Sequence, residues 1–258
     1  MVDTHAHLSI CEPADAELVA AARQAGVRRI LTVGLDEASN REAIGVAQTH
    51  DEVFACVGRH PNSAAGFDDG AAADIEALAD HPRVRAVGET GLDYYRDRVP
   101  RDEQHHAFEA QIGIARKAGL PLVIHLRDRD DGDSNGGAVA DAFSLLDRLA
   151  GGVTVVLHCF SATARVDEAA ERGWYCSFAG NVTYPKSGPL RDAAAAVPEE
   201  LLLVETDAPF LAPQQIRGKP NSPANVVATA RTVAEVRETS YEQFERTVEA
   251  NAERAFGW

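Results

Sequence analysis

The chain has 258 residues, 45% apolar and 25% charged, with a formal net charge of −15 at pH 7, a length that suits a barrel as one domain. No apolar run is long enough for a membrane span and no basic, signal-like leader precedes the first strand, so the expectation is a soluble cytoplasmic monomer without a membrane partner. The acidic balance excludes a broad basic groove for nucleic acid, so any polyanion must be held by a local site, with metal help.

Taken in order, the chain repeats a short β-branched run, a polar loop and an Ala-rich amphipathic stretch. Strands are expected at 1–5, 29–34, 53–58, 84–88, 121–125, 153–158, 175–179 and 201–205. Helices are expected near 13–25, 37–49, 71–80, 102–118, 139–150, 163–172 and 189–196, with two more at the C-terminal end. Pro223 suits a helical first turn, and Ser240 with Gln243 forms a capping-box pattern. Eight β/α units in one domain predict an α/β fold, a (β/α)8 TIM barrel over 1–258. A doubly wound open sheet accounts for the alternation equally well but not for where the polar residues fall.

Those polar residues fall at strand ends. His5 and His7 are two apart at the end of the first strand and point to one face. His60 follows the third strand, Glu89 the fourth, His125 the fifth and His158 the sixth, and Glu205 and Asp207 follow the eighth. Six of these, four histidines and two carboxylates, share one spatial logic and are hard to explain as core, because buried polar groups need partners and buried charges are costly. A metal centre supplies their partners. Four imidazoles with two carboxylates exceed one tetrahedral site, so two divalent ions are expected, with Glu89 on a middle strand as the bridge. None of Lys117, Lys186 and Lys219 is placed to bridge instead. The ligand types accept zinc, manganese or magnesium.

The blocks Asp3-Thr4-His5-Ala6-His7-Leu8, Gly88-Glu89-Thr90-Gly91-Leu92-Asp93-Tyr94-Tyr95, Pro121-Leu122-Val123-Ile124-His125, His158-Cys159-Phe160-Ser161 and Glu205-Thr206-Asp207-Ala208-Pro209, with Arg217-Gly218-Lys219 after them, resemble the signature blocks of the TatD family of metal-dependent deoxyribonucleases. They stand in the family's order over almost the whole chain. The resemblance implies a TIM barrel and metal-dependent hydrolysis of DNA phosphodiesters, trimming from the 3′ end of single-stranded or frayed substrate. It implies that His5, His7 and Asp207 hold one ion, His125 and His158 the other, and that Glu89 bridges them. His60 would contact phosphate or leaving group. The chain departs from the family pattern after Lys219, where Pro220-Asn221-Ser222-Pro223 stands, and in a longer acidic insertion after Arg127. Both departures bear on the substrate entrance.

The expected chemistry is two-metal hydrolysis, with Asp207 orienting the attacking water and accepting its proton. Arg217 and Lys219 are candidates to pair with phosphate, and Glu205 to support a ligand histidine. Tyr94 and Tyr95 can stack on a base, with core packing as the alternative for one of them. A rival reading is an amide or ester hydrolase on the same barrel, and a third is a metal-stabilised scaffold without turnover. The segment 131–136 matches half of a calcium loop, but Ala142 stands where a bidentate Glu is required, so a solvated acidic loop is the reading. Cys11, Cys56, Cys159 and Cys176 are scattered and read as free thiols. An acidic surface with three lysines among 25 basic residues points to a halophilic protein, its self-repulsion screened by salt.

Overall fold

A computed structural model describes residues 1–96, 98–128 and 137–258; the segment 131–136 with its calcium-like pattern lies outside them. Eight parallel strands pair in chain order: β1 (Val2–Ala6), β2 (Arg29–Val33), β3 (Val53–Val57), β4 (Val84–Asp93), β5 (Leu122–Arg127), β6 (Val155–Leu157), β7 (Tyr175–Phe178) and β8 (Leu202–Val204). The sheet meets itself where Ala6 bridges Ala208, with His7 N donating to Ala208 O at 2.7 Å and Asp207 N to His5 O at 2.9 Å. A doubly wound sheet would reverse its strand order at a switch point. No reversal occurs, and the fold is the expected (β/α)8 barrel.

The helices are α1 (Asp15–Gln24), α2 (Glu37–Thr49), α3 (Asp69–Ala79), α4 (Arg101–Ala118), α5 (Ala138–Leu149), α6 (Val166–Glu171), α7 (Gly188–Ala196), α8 (Val226–Val236) and α9 (Tyr241–Phe256). Each presents an apolar stripe to the sheet; in α5 it is Ala138, Val139, Ala142, Phe143, Leu145 and Leu146. The expected stretch 163–172 divides into a 3-10 turn, Thr163–Arg165, and the short α6. Pro223 opens the 3-10 turn that leads into α8, and Ser240 Oγ accepts from Gln243 N at 3.2 Å to cap α9. No described helix is long and apolar enough to cross a membrane, and the four cysteines are unpaired.

The largest departure from expectation is β4, which runs on through Gly88, Glu89, Thr90 and Gly91 to Asp93. Gly88 and Gly91 have φ of 143° and 135°, and a Cβ on them would lie 2.4 Å from Val123 O and 2.1 Å from His125 O. Only glycine lets β4 approach β5 so closely with that backbone. Glu89 therefore sits inside a strand, on a rigid element in the barrel mouth.

Candidate metal centre

Buried amides fix the loops that carry the site. Asn40 on α2 donates through Nδ2 to Gly58 O at 2.9 Å and accepts from Gly58 N at 3.0 Å, holding the end of β3 before His60. Gln111 on α4 accepts from Arg59 N at 2.8 Å and donates to Thr90 Oγ1 at 2.7 Å, tying that loop to β4. One heptad earlier, Gln104 accepts from Asp93 N at 2.8 Å and donates to Val99 O at 2.8 Å. Asn221, in the segment after Lys219, donates to Thr206 O at 2.9 Å and Phe210 O at 2.7 Å, clamping the loop after β8. Asp3 accepts from Thr206 N at 2.8 Å and Thr206 Oγ1 at 2.6 Å. Its burial pushes its carboxyl up to about 8, against the pull of those hydrogen bonds.

On this frame, His5, His7, Glu89, His125, His158 and Asp207 converge in the barrel mouth. Glu89 is 2% exposed, and its two oxygens face different histidines. Oε2 lies 3.3 Å from His5 Nε2 and 3.7 Å from His7 Nε2, while Oε1 lies 2.8 Å from His125 Nδ1 and 3.2 Å from His158 Nε2. Asp207, in the left-handed region at φ 54°, places Oδ1 3.5 Å from His7 Nε2 and 3.9 Å from His5 Nε2. His5 and His7 meet at 3.3 Å between their Nε2 atoms, and His5 stacks on His158 with ring centroids 3.7 Å apart.

Two of the outer ring nitrogens, those of His7 and His158, have hydrogen-bond partners, whereas His5 Nδ1 has none among the described residues. His7 Nδ1 donates to Val33 O at 2.9 Å, and His158 Nδ1 donates to Glu205 Oε1 at 2.8 Å, an oxygen that also accepts from Cys159 N at 2.8 Å. Asp93 Oδ2 lies 3.3 Å from His125 Nε2, at ion-pair distance but off the hydrogen-bond axis, while Asn62 Nδ2 donates to it at 2.8 Å. Asp93, unassigned from the sequence though it stands in the Gly-Leu-Asp-Tyr-Tyr block, is thus a charge partner beside His125, whereas Glu205 holds His158 by a hydrogen bond. With Nδ1–H committed, His7 and His158 turn Nε2 lone pairs toward the lone pairs of Glu89, an arrangement that requires a proton or a cation between them.

The electrostatics agree. Burial opposes ionisation of Glu89, yet His158 and His125 hold its carboxyl well below the ordinary range. Burial likewise opposes a charge on His158, but Glu205 and Glu89 keep its ring well above an ordinary histidine. Ligand atoms close enough to share one ion occur in the sets His5–His7–Glu89, His60–Glu89–His125 and His5–His158–Glu205. Nitrogen and carboxylate donors of this kind fit a borderline or hard divalent cation.

His60 differs from the others. Its Nδ1 accepts from Asn62 N at 3.0 Å, and burial drives its pKa down to about 3, so the ring is neutral with its hydrogen on Nε2. That nitrogen lies 3.6 Å from Glu89 Oε1 and is a donor rather than a metal lone pair. Arg217 and Lys219 are not gathered into the cluster: Arg217 lies over the Tyr184 ring at 4.5 Å, and Lys219 is exposed. The two tyrosines separate, Tyr94 being buried with its hydroxyl donating to Asp141 at 2.7 Å and Tyr95 being 52% exposed.

A family model described as TatD related DNase matches residues 2–257. The chain is 35% identical over 261 residues to an uncharacterized metal-dependent hydrolase, YabD, of Bacillus subtilis (strain 168), covering 99% of this chain and 98% of that one. It is 36% identical to the 3′-5′ ssDNA/RNA exonuclease TatD of Citrobacter rodentium (strain ICC168), covering 93% of this chain and 91% of the relative. The crystal structure of YJJV, a TatD homolog from Escherichia coli k12, superposes over 100% of this chain and 98% of its own with a TM-score of 0.89 at 24% identity, and so shares the fold. The chain belongs to the TatD related DNase family and is a metal-dependent hydrolase.

Proposed function

We propose that this enzyme shortens single-stranded DNA from the 3′ end by a two-metal mechanism, acting as a cytoplasmic monomer. The observation that carries the reading is the division of labour on Glu89, with Oε2 facing His5 and His7 and Oε1 facing His125 and His158. In this reading His5, His7 and Asp207 hold one ion, His125 and His158 the other, and Glu89 bridges. When bound, a pair of divalent ions (magnesium, manganese or zinc) supplies Lewis-acid polarisation of the phosphoryl oxygen and a hydroxide-like nucleophile at neutral pH.

The protein groups have complementary roles. Asp207 stays ionised despite burial because His7 and His158 favour its charge, so it can accept the proton of the attacking water. His60 Nε2–H donates to the phosphate or leaving oxygen. Glu205 sets the ring orientation of His158, and Asp93 is the charge partner of His125. Arg217 and Lys219 lie on the loop after β8 as cations for flanking phosphates. The relatives named as ssDNA/RNA exonucleases support this substrate class. The rival amide-hydrolase reading draws only on a shared barrel, such as that of a Bacillus hydantoinase at 15% identity and TM-score 0.61.

The test is cleavage of a labelled single-stranded oligonucleotide by metal-free protein reconstituted in turn with magnesium, manganese and zinc, beside Glu89→Gln. Stepwise shortening from the 3′ end that needs metal and is lost in the variant is expected. Stoichiometric metal binding with intact DNA under every condition would overturn the nuclease reading.

A further inference from the structure

The large hydrophobic side chains most exposed among the described residues are Ile10, Tyr95 and Phe210, at 48%, 52% and 51%. All three lie on loops that follow strands, after β1, β4 and β8, on the face that carries the metal cluster. Phe210 stands beside His7, with ring centroids 6.0 Å apart and planes at 70°. Its backbone is fixed: Phe210 N donates to Asp207 O at 2.8 Å and Asn221 Nδ2 donates to Phe210 O at 2.7 Å. Tyr95 is also fixed, its N donating to Asp93 Oδ1 at 3.0 Å, and Arg127 covers one side of its ring with the guanidinium carbon 4.1 Å from the centroid. An exposed aromatic ring on a clamped backbone is a preformed stacking surface.

Some arginines on the loops of this face are committed to carboxylates, Arg59 to Glu37 and Arg165 to Glu168. Among the described residues, Arg96, Arg127, Arg217 and Lys219, on the loops at the catalytic face, have no carboxylate partner. The face thus keeps cations without carboxylate partners against aromatic rings, Arg127 over Tyr95 and Arg217 over Tyr184, on a chain that is otherwise strongly acidic, a combination that suits a single strand.

The strand order sets the geometry. β8 and β1 meet at the closure of the barrel, half a turn from β4 and β5. Eight strands about 4.8 Å apart and tilted about 36° enclose a barrel roughly 15 Å across. Phe210 on one rim and Tyr95 on the other are separated by far more than the roughly 3.4 Å rise of one stacked nucleotide.

We propose that Phe210 and the Tyr95–Arg127 pair are two base-stacking platforms on opposite sides of the metal cluster, holding two non-adjacent nucleotides of a single strand across it. The ligand class rests on the phosphodiesterase reading above. A paired base has its faces occupied by its neighbours in the duplex, so these platforms select unpaired strands.

The test uses metal-reconstituted full-length protein and single-stranded oligonucleotides with one abasic nucleotide moved stepwise from the cleaved end. Cleavage by the parent protein is expected to slow about tenfold at two non-adjacent abasic positions, as loss of one base–aromatic stack requires. Phe210→Ala loses the sensitivity at one position and Tyr95→Ala at the other, while Phe210→Trp retains it; circular dichroism and metal content check the fold of each variant. If both alanine variants keep the parent pattern of abasic sensitivity, the platforms are overturned and the nuclease reading stands. Fluorescence anisotropy of the same oligonucleotides separates the two ideas: abasic-sensitive binding without cleavage supports the platforms and sinks the nuclease reading, and absence of both binding and cleavage overturns both.

Discussion

In His158 and His60 the partner of one ring nitrogen decides what the other can do. The Glu205 carboxylate takes the Nδ1 hydrogen of His158 and leaves a basic Nε2 facing Glu89, so Glu205→Gln keeps the shape but withdraws the charge that strengthens the ligand. Metal affinity, read by titration with a competing chelator, is expected to fall about 10- to 100-fold, with the rate recovered at saturating metal; unchanged affinity would remove Glu205 from the metal's support. The case of His60 is the reverse. Its Nδ1 is occupied by Asn62 N–H and its Nε2 is a donor, so His60→Ala should keep metal stoichiometry while kcat/KM falls by about 10²- to 10³-fold, the usual cost of one preorganised donor. Loss of metal in that variant would make His60 a ligand instead.

At the scale of elements, the helix caps fix the loops that approach the site. Asp36 caps α2, accepting from Ser39 N at 2.9 Å and Ser39 Oγ at 2.7 Å, and Ser39 Oγ accepts from Leu35 N at 2.8 Å. His60 N in turn donates to Leu35 O at 3.0 Å. Ser39 holds the Asp36 carboxyl below its ordinary value of 3.8. The folded state therefore releases this proton more readily than the unfolded chain, and the stabilisation is present above the ordinary value and lost as pH falls through the folded one. Asp36→Ala should cost about 1 kcal/mol in urea unfolding at pH 7, a difference that shrinks toward zero as the pH is lowered below that of an ordinary aspartate. A cost independent of pH would show that the carboxylate charge is not what the cap supplies.

The same scale shows what was legible in the sequence. The histidines could be placed because period-2 alternation and strand ends are local signals, and they sit where those signals put them. The expected fourth strand ends at Gly88, whereas β4 runs on to Asp93, with Gly88 and Gly91 permitting its close approach to β5, a tertiary requirement. Gln104 and Gln111 look like ordinary polar residues of an exposed helix. Their burial and their hold on Asp93 and Arg59 depend on which strand α4 packs against, and no local pattern carries that. Asp93 and Asn221 were hidden for the same reason, since the partner of a buried polar group is set by tertiary packing.

Over the whole molecule, the net charge of −15 acts on stability through a field that no single pair describes. Exposed ion pairs such as Arg41 with Asp74 contribute little each, while the unpaired excess of carboxylates repels itself in the compact state more than in the expanded chain. Raising salt to 1 M shortens the screening length to about 3 Å and removes most of that repulsion, whereas the buried barrel core is indifferent to screening. Each kcal/mol recovered should raise the midpoint by about 2 to 4 °C for a domain of this size. Thermal unfolding of metal-free protein between 0.1 and 2 M KCl is therefore expected to shift upward by at least several degrees, most steeply at the low end where the screening length changes fastest. A midpoint that stays level or falls across the series would show that the acidic surface is offset by its own ion pairs, and would sink the halophilic reading while leaving the metal centre as it stands.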